Sequence, residues 1–192
     1  MPKRGFSKHR NSILILIGII VVAVLVVYSL GYKPPRTGTT KVLLMTTMGN
    51  ITILLFDDVP ITKANFLNLT RMGIYNNVTF HRVVPGFVIQ GGDPTGTGYG
   101  DPSIRAIPDE FVANNRNDNS TVAMANAGAN TGSSQFFINL ANNNAALDTK
   151  HPVFGEIVEG MDVVMAISRV PLVQGTEKPQ HDVRIIKAEI IG

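Results

Sequence analysis

The segment that decides the fold is Phe80 to Gly92, which reads Phe-His-Arg-Val-Val-Pro-Gly-Phe-Val-Ile-Gln-Gly-Gly. Two runs of apolar, β-prone residues flank a Pro-Gly pair, which is typical of a β-turn between two strands. Because successive side chains of a strand point to opposite faces, Arg82 shares a face with Phe80, and Gln90 lies on the face opposite Ile89 in the second run. The segment therefore predicts a hairpin that brings a guanidinium, an aromatic ring and a carboxamide close together. Composition alone also allows an ordinary hairpin with a solvated arginine.

Three further blocks follow in order: Met124-Ala-Asn-Ala-Gly128, Gly132-Ser-Ser-Gln-Phe-Phe-Ile138, and Leu147-Asp148 through His151-Pro-Val-Phe-Gly155. With the hairpin, these blocks resemble the signature of the cyclophilin-type peptidyl-prolyl cis-trans isomerases. The resemblance covers residues 41–192 and implies a mainly-β fold, a closed eight-stranded antiparallel barrel capped by two α-helices. Many short predicted strands with only two predicted helices in this region favour the same class.

The resemblance implies roles for individual residues. Four are expected to be catalytic: Arg82, Gln90, Phe87 and Asn126. Arg82 corresponds to the family's catalytic arginine, Gln90 to the glutamine that hydrogen-bonds near it, and Asn126 to the residue whose backbone holds the substrate. Phe87 belongs to the pocket for the proline ring. The expected substrate-binding residues are His81, Val88, Ala125, Ala127, Gln135, Phe137, Leu147 and His151.

The sequence departs from the family pattern at the rim of the expected groove. Ala146 stands where many members have a Trp just before the Leu-Asp pair, and the chain has no Trp at all. Val88 replaces the commoner Met, and the loop after Asp93 is shorter than in many members. The family's known ligand is cyclosporin. Because the resemblance implies that this ligand packs against the rim Trp, we expect only weak cyclosporin binding.

The composition excludes several chemistries. The 192 residues contain no Cys, which rules out disulfides, a thiolate nucleophile and Cys-ligated zinc. The four His residues are scattered, so we expect no metal and no cofactor. Residues 1–40 hold six Lys and Arg and no acidic residue, which leaves 11 basic against 14 acidic residues in the remainder. The basic character belongs to the N-terminal region, so we expect no nucleic-acid partner.

The N-terminal region predicts a membrane anchor. Residues 1–12 form a basic leader, and residues 13–30 are an uncharged apolar run of 18 residues. As a helix this run is about 27 Å long, close to a hydrocarbon core of about 30 Å. We expect a transmembrane signal-anchor helix at 13–32 that contacts membrane lipid, and a tether at 33–40. The positive-inside rule places the N-terminus in the cytoplasm and the domain at 41–192 outside the cell membrane. A cleaved signal peptide with a secreted domain, or a buried core helix, are the alternatives.

The sequence also predicts the main elements of the domain. Strands are expected at 42–47, 51–56, 122–125, 135–138, 153–158 and 183–191, and a second helix at 161–168. The first helix is expected to start at Asp57-Asp58-Val59-Pro60, with Asp as N-cap, and to end at Gly73. Its buried stripe is expected to be Ala64, Phe66, Leu67, Leu69 and Thr70.

We expect an enzyme, a membrane-anchored, prokaryotic-like peptidyl-prolyl isomerase. Its partners would be proline-containing polypeptides among exported or surface proteins, and the chain would be monomeric. Two alternatives stay open. One is a non-catalytic binding module for proline-containing peptides, and the other is a structural membrane protein with a decayed site. The presence of Arg82 with all four blocks favours the enzyme.

Overall fold

The computed structural model describes residues 6–29 and 35–191, without the side chains of residues 6–11, 24 and 27–29. The chain divides into two compact units, Met1–Pro35 and Arg36–Gly192. Parts of the expected N-terminal elements lie outside the described residues. These are residues 1–5 of the basic leader, 30–32 of the anchor, and 33 and 34 of the tether.

The first unit contains helix α1, Phe6–Ser29, which includes most of the expected apolar segment. Its described aliphatic side chains are about half exposed, as at Ile13 (57%) and Leu25 (62%). Across the stretches that the structure describes, no helix has both the length and the hydropathy needed to cross a bilayer. The transmembrane assignment of residues 13–32 stays a prediction.

The second unit is built on one antiparallel sheet, which has nine strands within the described residues. They are β1 Thr40–Thr46, β2 Gly49–Leu55, β3 Val78–Thr79, β4 Arg82–Val84, β5 Val88–Gly91, β6 Thr121–Met124, β7 Phe136–Asn139, β8 Val153–Glu159 and β9 Arg184–Ile191. The strand order is β3-β9-β1-β2-β8-β6-β7-β5-β4. Three helices belong to this unit: α2 Pro60–Arg71, α3 Asn144–Leu147 and α4 Met161–Ile167. The long expected strands and both expected helices are present, with ends displaced by a few residues.

The sheet curls until its two edges approach each other. Edge strands β3 and β4 are separated in sequence only by Phe80 and His81, although they stand at opposite ends of the strand order. The segment that leads into β9 covers this seam. The N–H of Phe80 donates to the carbonyl of Val183 (2.9 Å), and the N–H of Val83 donates to the carbonyl of Glu177 (2.7 Å). The expected closed eight-stranded barrel is therefore a nine-stranded half-barrel, since no ladder joins β3 to β4 in the described residues.

Helix α2 begins differently from the expectation. Its N-cap residue is Val59, which makes no side-chain capping bond, so the expected aspartate N-cap is wrong. A distant glutamate caps the helix instead. Glu110 accepts the N–H of Ile61 at Oε1 (3.1 Å) and the N–H of Thr62 at Oε2 (2.6 Å). A carboxylate at this end also compensates the positive end of the helix dipole.

The buried face of α2 differs from the expected stripe at two residues: Ala64 is exposed, and Thr62, which was not expected, is buried. The buried residues are Thr62, Phe66, Leu67, Leu69 and Thr70. The helix ends at Arg71, and Gly73 adopts the left-handed conformation that terminates helices, with φ of +72°.

An aromatic cluster joins this helix to the sheet. The Phe66 ring lies between the rings of Tyr75, Phe136 and Phe154, with centroids 4.9, 5.5 and 5.1 Å away. The Tyr75 hydroxyl donates to the carbonyl of Ser134 (3.2 Å), and complete burial raises the pKa of Tyr75 far above its usual value. The cluster anchors β7. This strand contains Phe137 and directly follows Gln135, two of the expected substrate-binding residues.

The compact unit starts before Lys41, the expected domain boundary. The Arg36 side chain is only 6% exposed and forms an ion pair with Asp58. Its Nη1 donates to the carbonyl of Val153 (2.6 Å), and its guanidinium lies 4.2 Å from the centroid of the Phe56 ring. The end of the expected tether at 33–40 therefore packs on the domain.

Candidate active site

The hairpin turn brings Arg82 and Gln90 opposite each other. The turn runs from Val84 to Phe87 and is closed by the Phe87 N–H donating to the Val84 carbonyl (3.0 Å). Pro85 occupies its second position, and Gly86, with φ of +75°, its third, as a type II turn requires. The resulting register pairs Arg82 with Gln90 across β4 and β5. Side chains that are directly opposite in an antiparallel pair lie on the same face.

The same row of the sheet continues through the neighbouring strands. Gln90 pairs with Phe137 on β7, and Phe137 pairs with Ala123 on β6. A guanidinium, a carboxamide and an aromatic ring therefore stand side by side on one face. The sequence predicted this combination within the hairpin itself, whereas the structure takes the ring of the row, Phe137, from the neighbouring strand β7.

A chain of side-chain hydrogen bonds links the polar members of the site. Nη1 of Arg82 donates to Oε1 of Gln90 (3.3 Å). Nε2 of Gln90 donates to Oε1 of Gln135 (2.9 Å), and Nε2 of Gln135 donates to the carbonyl of Gly98 (3.0 Å). Each amide oxygen accepts from the preceding group, so one orientation of both glutamines satisfies the whole chain. The structure thus brings together three predicted residues and the glycine-rich loop at 94–100.

Glu177 is a member of this site that sequence reasoning missed. Its Oε2 lies 2.5 Å from Nε of Arg82, and the two side chains are 52% and 38% exposed. Glu177 is 95 residues away from Arg82, in the loop that covers the seam of the sheet. Nothing in its local sequence indicates this contact, because the Glu-Lys-Pro triplet is ordinary for a loop.

The residues expected to hold the proline ring differ in their burial. Phe137 and Val88 are buried, while Phe87, Leu147 and His151 are partly exposed. The rings of Phe137 and His151 meet edge to face, with centroids 5.2 Å apart and planes at 84°. Nδ1 of His151 lies 3.1 Å from the carbonyl of Met124. A carbonyl only accepts, so Nδ1 carries the hydrogen. Burial lowers the pKa of His151, although the bond to Met124 acts in the opposite direction.

A second part of the groove lies beyond Gln135. One cavity there is lined by Gln90, Gly98, Tyr99, Gly100, Ala125, Asn126, Ala127, Thr131, Ser133 and Gln135. The Asn126 side chain donates to the carbonyl of Lys150 (2.8 Å), which fixes the residue. In the described part of the chain, the backbone N–H and C=O of Asn126 have no protein partner. Tyr99 stands at the rim with its side chain 97% exposed, and the sequence did not predict it.

The other side of the groove contains His81 and the glycine-rich loop. His81, Arg82, Gln90, Tyr99 and Glu177 line one shared cavity, together with loop residues 95–98, 176 and 178. Neither ring nitrogen of His81 has a hydrogen-bond partner in the described residues. Burial lowers the pKa of His81; the charge of Asp93 acts in the opposite direction, and the smaller effect of the Arg82 charge adds to that of burial. The placement agrees with the expected contact between His81 and substrate, which stays a prediction.

Asp93 holds the glycine-rich loop in shape. Its fully buried carboxylate accepts from the N–H groups of Thr95 (2.9 Å), Gly98 (2.7 Å) and Gly100 (3.2 Å), and from the hydroxyl of Thr95. Burial alone raises the pKa of this carboxyl, but the hydrogen bonds outweigh burial and lower it. The loop is therefore organised by an internal carboxylate, and it supplies the Gly98 carbonyl that anchors Gln135.

Ala146 is the residue at which the resemblance led us to expect a rim Trp. It belongs to the one-turn helix α3, is exposed, and directly precedes Leu147.

As for metals, the described residues include no group of three or more His, Asp or Glu side chains that could hold an ion.

Comparisons with known proteins agree with this geometry. Residues 41–190 match the family described as cyclophilin type peptidyl-prolyl cis-trans isomerase/CLD. A peptidyl-prolyl cis-trans isomerase of Arabidopsis thaliana is 42% identical over 161 residues, which cover 82% of this chain and 97% of that protein. The peptidylprolyl isomerase domain and WD repeat-containing protein 1 of Mus musculus is 46% identical over 160 residues. That match covers 81% of this chain, which spans only about a quarter of the mouse protein.

A solved structure shows the same fold. The crystal structure of a Cryptosporidium parvum cyclophilin type peptidyl-prolyl cis-trans isomerase, determined in the presence of the dipeptide Ala-Pro, superposes with a TM-score of 0.74. The two chains are 32% identical, and the match covers 79% of this chain and 99% of the other. None of these three relatives is prokaryotic, so the expected prokaryotic-like form finds no support in them.

Proposed function

The chain belongs to the cyclophilin-type peptidyl-prolyl cis-trans isomerases, and we propose that it accelerates rotation about X–Pro bonds with Arg82 as the group that acts on the twisted amide. The barrier to this rotation is about 18–20 kcal/mol, because the amide bond has partial double-bond character. The two planar isomers differ by only about 0.5–1 kcal/mol. A catalyst therefore needs no nucleophile. It must bind the twisted amide more tightly than either planar form.

Arg82 suits this task because of what happens to the prolyl nitrogen. In the planar amide the nitrogen lone pair is delocalised, and twisting localises it. A guanidinium that donates a hydrogen bond to the localised pair stabilises the twisted state alone. Arg is always protonated, and its donors form a rigid fork. Gln90 supports the guanidinium through the bond to Nη1.

The other groove residues would hold the substrate. We assign the proline ring to the apolar residues Phe87, Val88, Phe137 and Leu147 together with His151, whose ring meets that of Phe137 edge to face. The unpartnered backbone groups of Asn126 could pair with the substrate backbone, and Ala125, Ala127 and Gln135 line the adjoining cavity. The crystal structure of the Cryptosporidium relative in the presence of Ala-Pro supports proline-containing substrates.

The observation that carries this proposal is the cross-strand row that places Arg82 beside Gln90 and Phe137. The test is an exchange NMR assay with a short X–Pro peptide. Arg82→Ala should lower kcat/KM by about 100-fold or more, the usual effect of removing a donor to a transition state. Arg116→Ala is the matched control, because Arg116 is also an exposed, ion-paired arginine but lines neither cavity of the site. Equal turnover by wild type and Arg82→Ala would refute the mechanism. Peptide binding without turnover by the wild type would instead favour the non-catalytic binding module.

We also propose that residues 13–32 anchor the enzyme in the cell membrane, with the isomerase domain outside and acting on exported proteins. The support is the uncharged apolar run after a basic leader, and the exposed aliphatic side chains of α1. The full chain should sediment with membranes and be released by detergent but not by salt. Protease added to intact cells should degrade the domain. Recovery of the full chain in the soluble fraction without detergent would contradict the anchor. A mature chain that lacks the N-terminal region would indicate a cleaved signal peptide.

A further inference from the structure

We propose that Glu177 is a positioning residue for the isomerase reaction, which holds the Arg82 guanidinium in the orientation that the twisted amide requires. The inference rests on the proposed role of Arg82. Glu177 makes two bonds to consecutive residues of β4. Its carboxylate accepts from Nε of Arg82 (2.5 Å), and its carbonyl accepts from the N–H of Val83 (2.7 Å). The side chain and the backbone of one loop residue thus fix both Arg82 and the strand that carries it.

The loop that presents Glu177 is held by its own hydrogen bonds. The N–H of Val173 donates to the carbonyl of Lys178 (2.8 Å), and the N–H of Gln180 donates to the carbonyl of Pro171 (2.8 Å). Gln180 Nε2 also donates to the carbonyl of Leu172 (2.9 Å). These bonds close the segment into a narrow hairpin whose tip contains Gly175 with φ of +76°. Glu177 is therefore presented from a defined loop.

The donors of Arg82 divide into held and free groups. A guanidinium has five N–H hydrogens. Nε–H is bonded to Glu177, and one hydrogen of Nη1 is bonded to Gln90. The remaining hydrogens, one on Nη1 and two on Nη2, have no protein partner among the described residues. Two contacts at different nitrogens fix the guanidinium plane, and Arg82 and Glu177 both line one cavity.

This arrangement favours a role in catalysis over a role in folding. An ion pair between two partly exposed side chains contributes little to stability. A freely rotating arginine must be ordered in the transition state, whereas a held arginine is already oriented. The negative charge of Glu177 opposes the pull of the guanidinium on the prolyl nitrogen. The carboxylate binds at Nε, so both Nη2 hydrogens and one Nη1 hydrogen stay available for the prolyl nitrogen in the orientation that the ion pair sets.

The test uses the full chain and exchange NMR at several peptide concentrations, which separates kcat from KM. Glu177→Ala should lower kcat about tenfold, with KM changed less than twofold, since a small misplacement of a catalytic group has large effects. Glu177→Gln keeps an acceptor oxygen of the same shape and should recover most of the lost kcat. The Nε–H resonance of Arg82 should shift in Glu177→Ala and return towards its wild-type position in Glu177→Gln. The melting temperature should stay unchanged in both variants.

The matched control is Asp182→Ala, which removes an exposed ion pair with Arg184 (2.6 Å) next to the same loop. It should retain wild-type kcat. A wild-type kcat in Glu177→Ala, or equal losses in the Ala and Gln variants, would overturn the positioning role. The same would follow if the loss fell entirely on KM. Arg82→Ala in the same assay keeps the two proposals apart. If Arg82→Ala loses activity while Glu177→Ala keeps a wild-type kcat, only the role of Glu177 fails, whereas an inactive wild type refutes both.

Discussion

Ala146 is an exposed residue whose side chain ends at the β-carbon, directly before the partly buried Leu147 of the expected proline pocket. An indole at this position would offer a large apolar surface and an N–H donor. We expect small proline peptides to depend more on Arg82, Phe87 and Phe137. A bulky cyclic ligand also needs the rim. Having Ala146 in place of a Trp should therefore weaken inhibitor binding while leaving the turnover of small peptides largely unchanged.

We predict that this enzyme resists cyclosporin relative to Trp-bearing members of its family. Losing one such contact costs about 1–3 kcal/mol, or roughly 5–150-fold in affinity. Ala146→Trp should recover part of that affinity without a matching gain in kcat/KM. The measurement is a cyclosporin titration of both proteins during the isomerase assay. Low-nanomolar inhibition of the wild type would show that Ala146 is not the determinant.

His81 leads to a prediction about pH. Its pKa is lowered, chiefly by burial, so the unfolded state binds a proton more readily than the folded state at pH values just below 6.5. The stability linked to the neutral ring is therefore complete above about pH 6.5 and is lost as the pH falls through the lowered pKa. Urea unfolding should give a smaller free energy of unfolding at pH 5 than at pH 7.5.

The variant that checks this prediction is His81→Phe, because neither ring nitrogen has a protein partner to lose. The variant should match the wild type at pH 7.5 and lose less stability at pH 5. His151, whose pKa is also lowered, contributes in the same direction. The pKa of Asp93 is lowered from 3.8, so that carboxylate stays ionised throughout this range. An identical pH dependence in wild type and variant would exclude His81 as its source.

At the scale of elements, α2 depends on a residue that lies 48 positions away along the chain. Its first turn would leave N–H groups unpaired without the Glu110 carboxylate, which also accepts from the Thr62 hydroxyl (2.8 Å). The aspartates before the helix pair with Arg36 and Lys63 instead. Because α2 packs Phe66 into the aromatic cluster against β7, loosening its start affects the sheet that carries the site.

We predict that Glu110→Ala lowers the free energy of unfolding by about 1–2 kcal/mol, the usual effect of removing a helix cap. Glu110→Gln retains one acceptor oxygen and should lie between Glu110→Ala and wild type. Chemical unfolding monitored by circular dichroism measures both. An unchanged stability in Glu110→Ala would mean that water replaces the cap at no net loss.

At the scale of the whole molecule, the isomerase unit includes residues before Lys41. The buried Arg36 joins the entering chain to the loop before α2 and to the start of β8. Backbone bonding supports the same boundary, since the N–H of Asp57 donates to the carbonyl of Thr37 (2.9 Å). A fragment cut at Lys41 therefore loses contacts that belong to the fold.

We predict that residues 41–192 melt about 4–8 °C below residues 35–192, the shift that a loss of about 2 kcal/mol causes in a domain of this size. Arg36→Ala in the longer fragment should reproduce most of this difference. Differential scanning calorimetry on the three proteins provides the comparison. If the two fragments melt together, Arg36 adds nothing to the stability of the unit.

The sequence alone predicted those features of this protein that depend on residues close together in the chain. The Pro85-Gly86 turn follows from the fixed φ of proline and the freedom of glycine at positive φ. It sets the register that pairs Arg82 with Gln90. Apolar periodicity identified the buried face of α2, except at Thr62 and Ala64. The ordered blocks identified the family, and the assignment of site residues stays a prediction.

Only the tertiary structure decided the features that depend on contacts between distant segments. Glu177 meets Arg82 across 95 residues, Glu110 meets α2 across 48 and 49 residues, and Arg36 meets Val153 across 117 residues. The placement of β3 and β4 at opposite edges, and the loop that covers their seam, likewise follow from strand order. Each charged group has several possible partners of opposite charge or polar backbone in its own neighbourhood. The choice among them is made by the packing of the whole sheet, because an exposed ion pair is too weak to direct folding by itself.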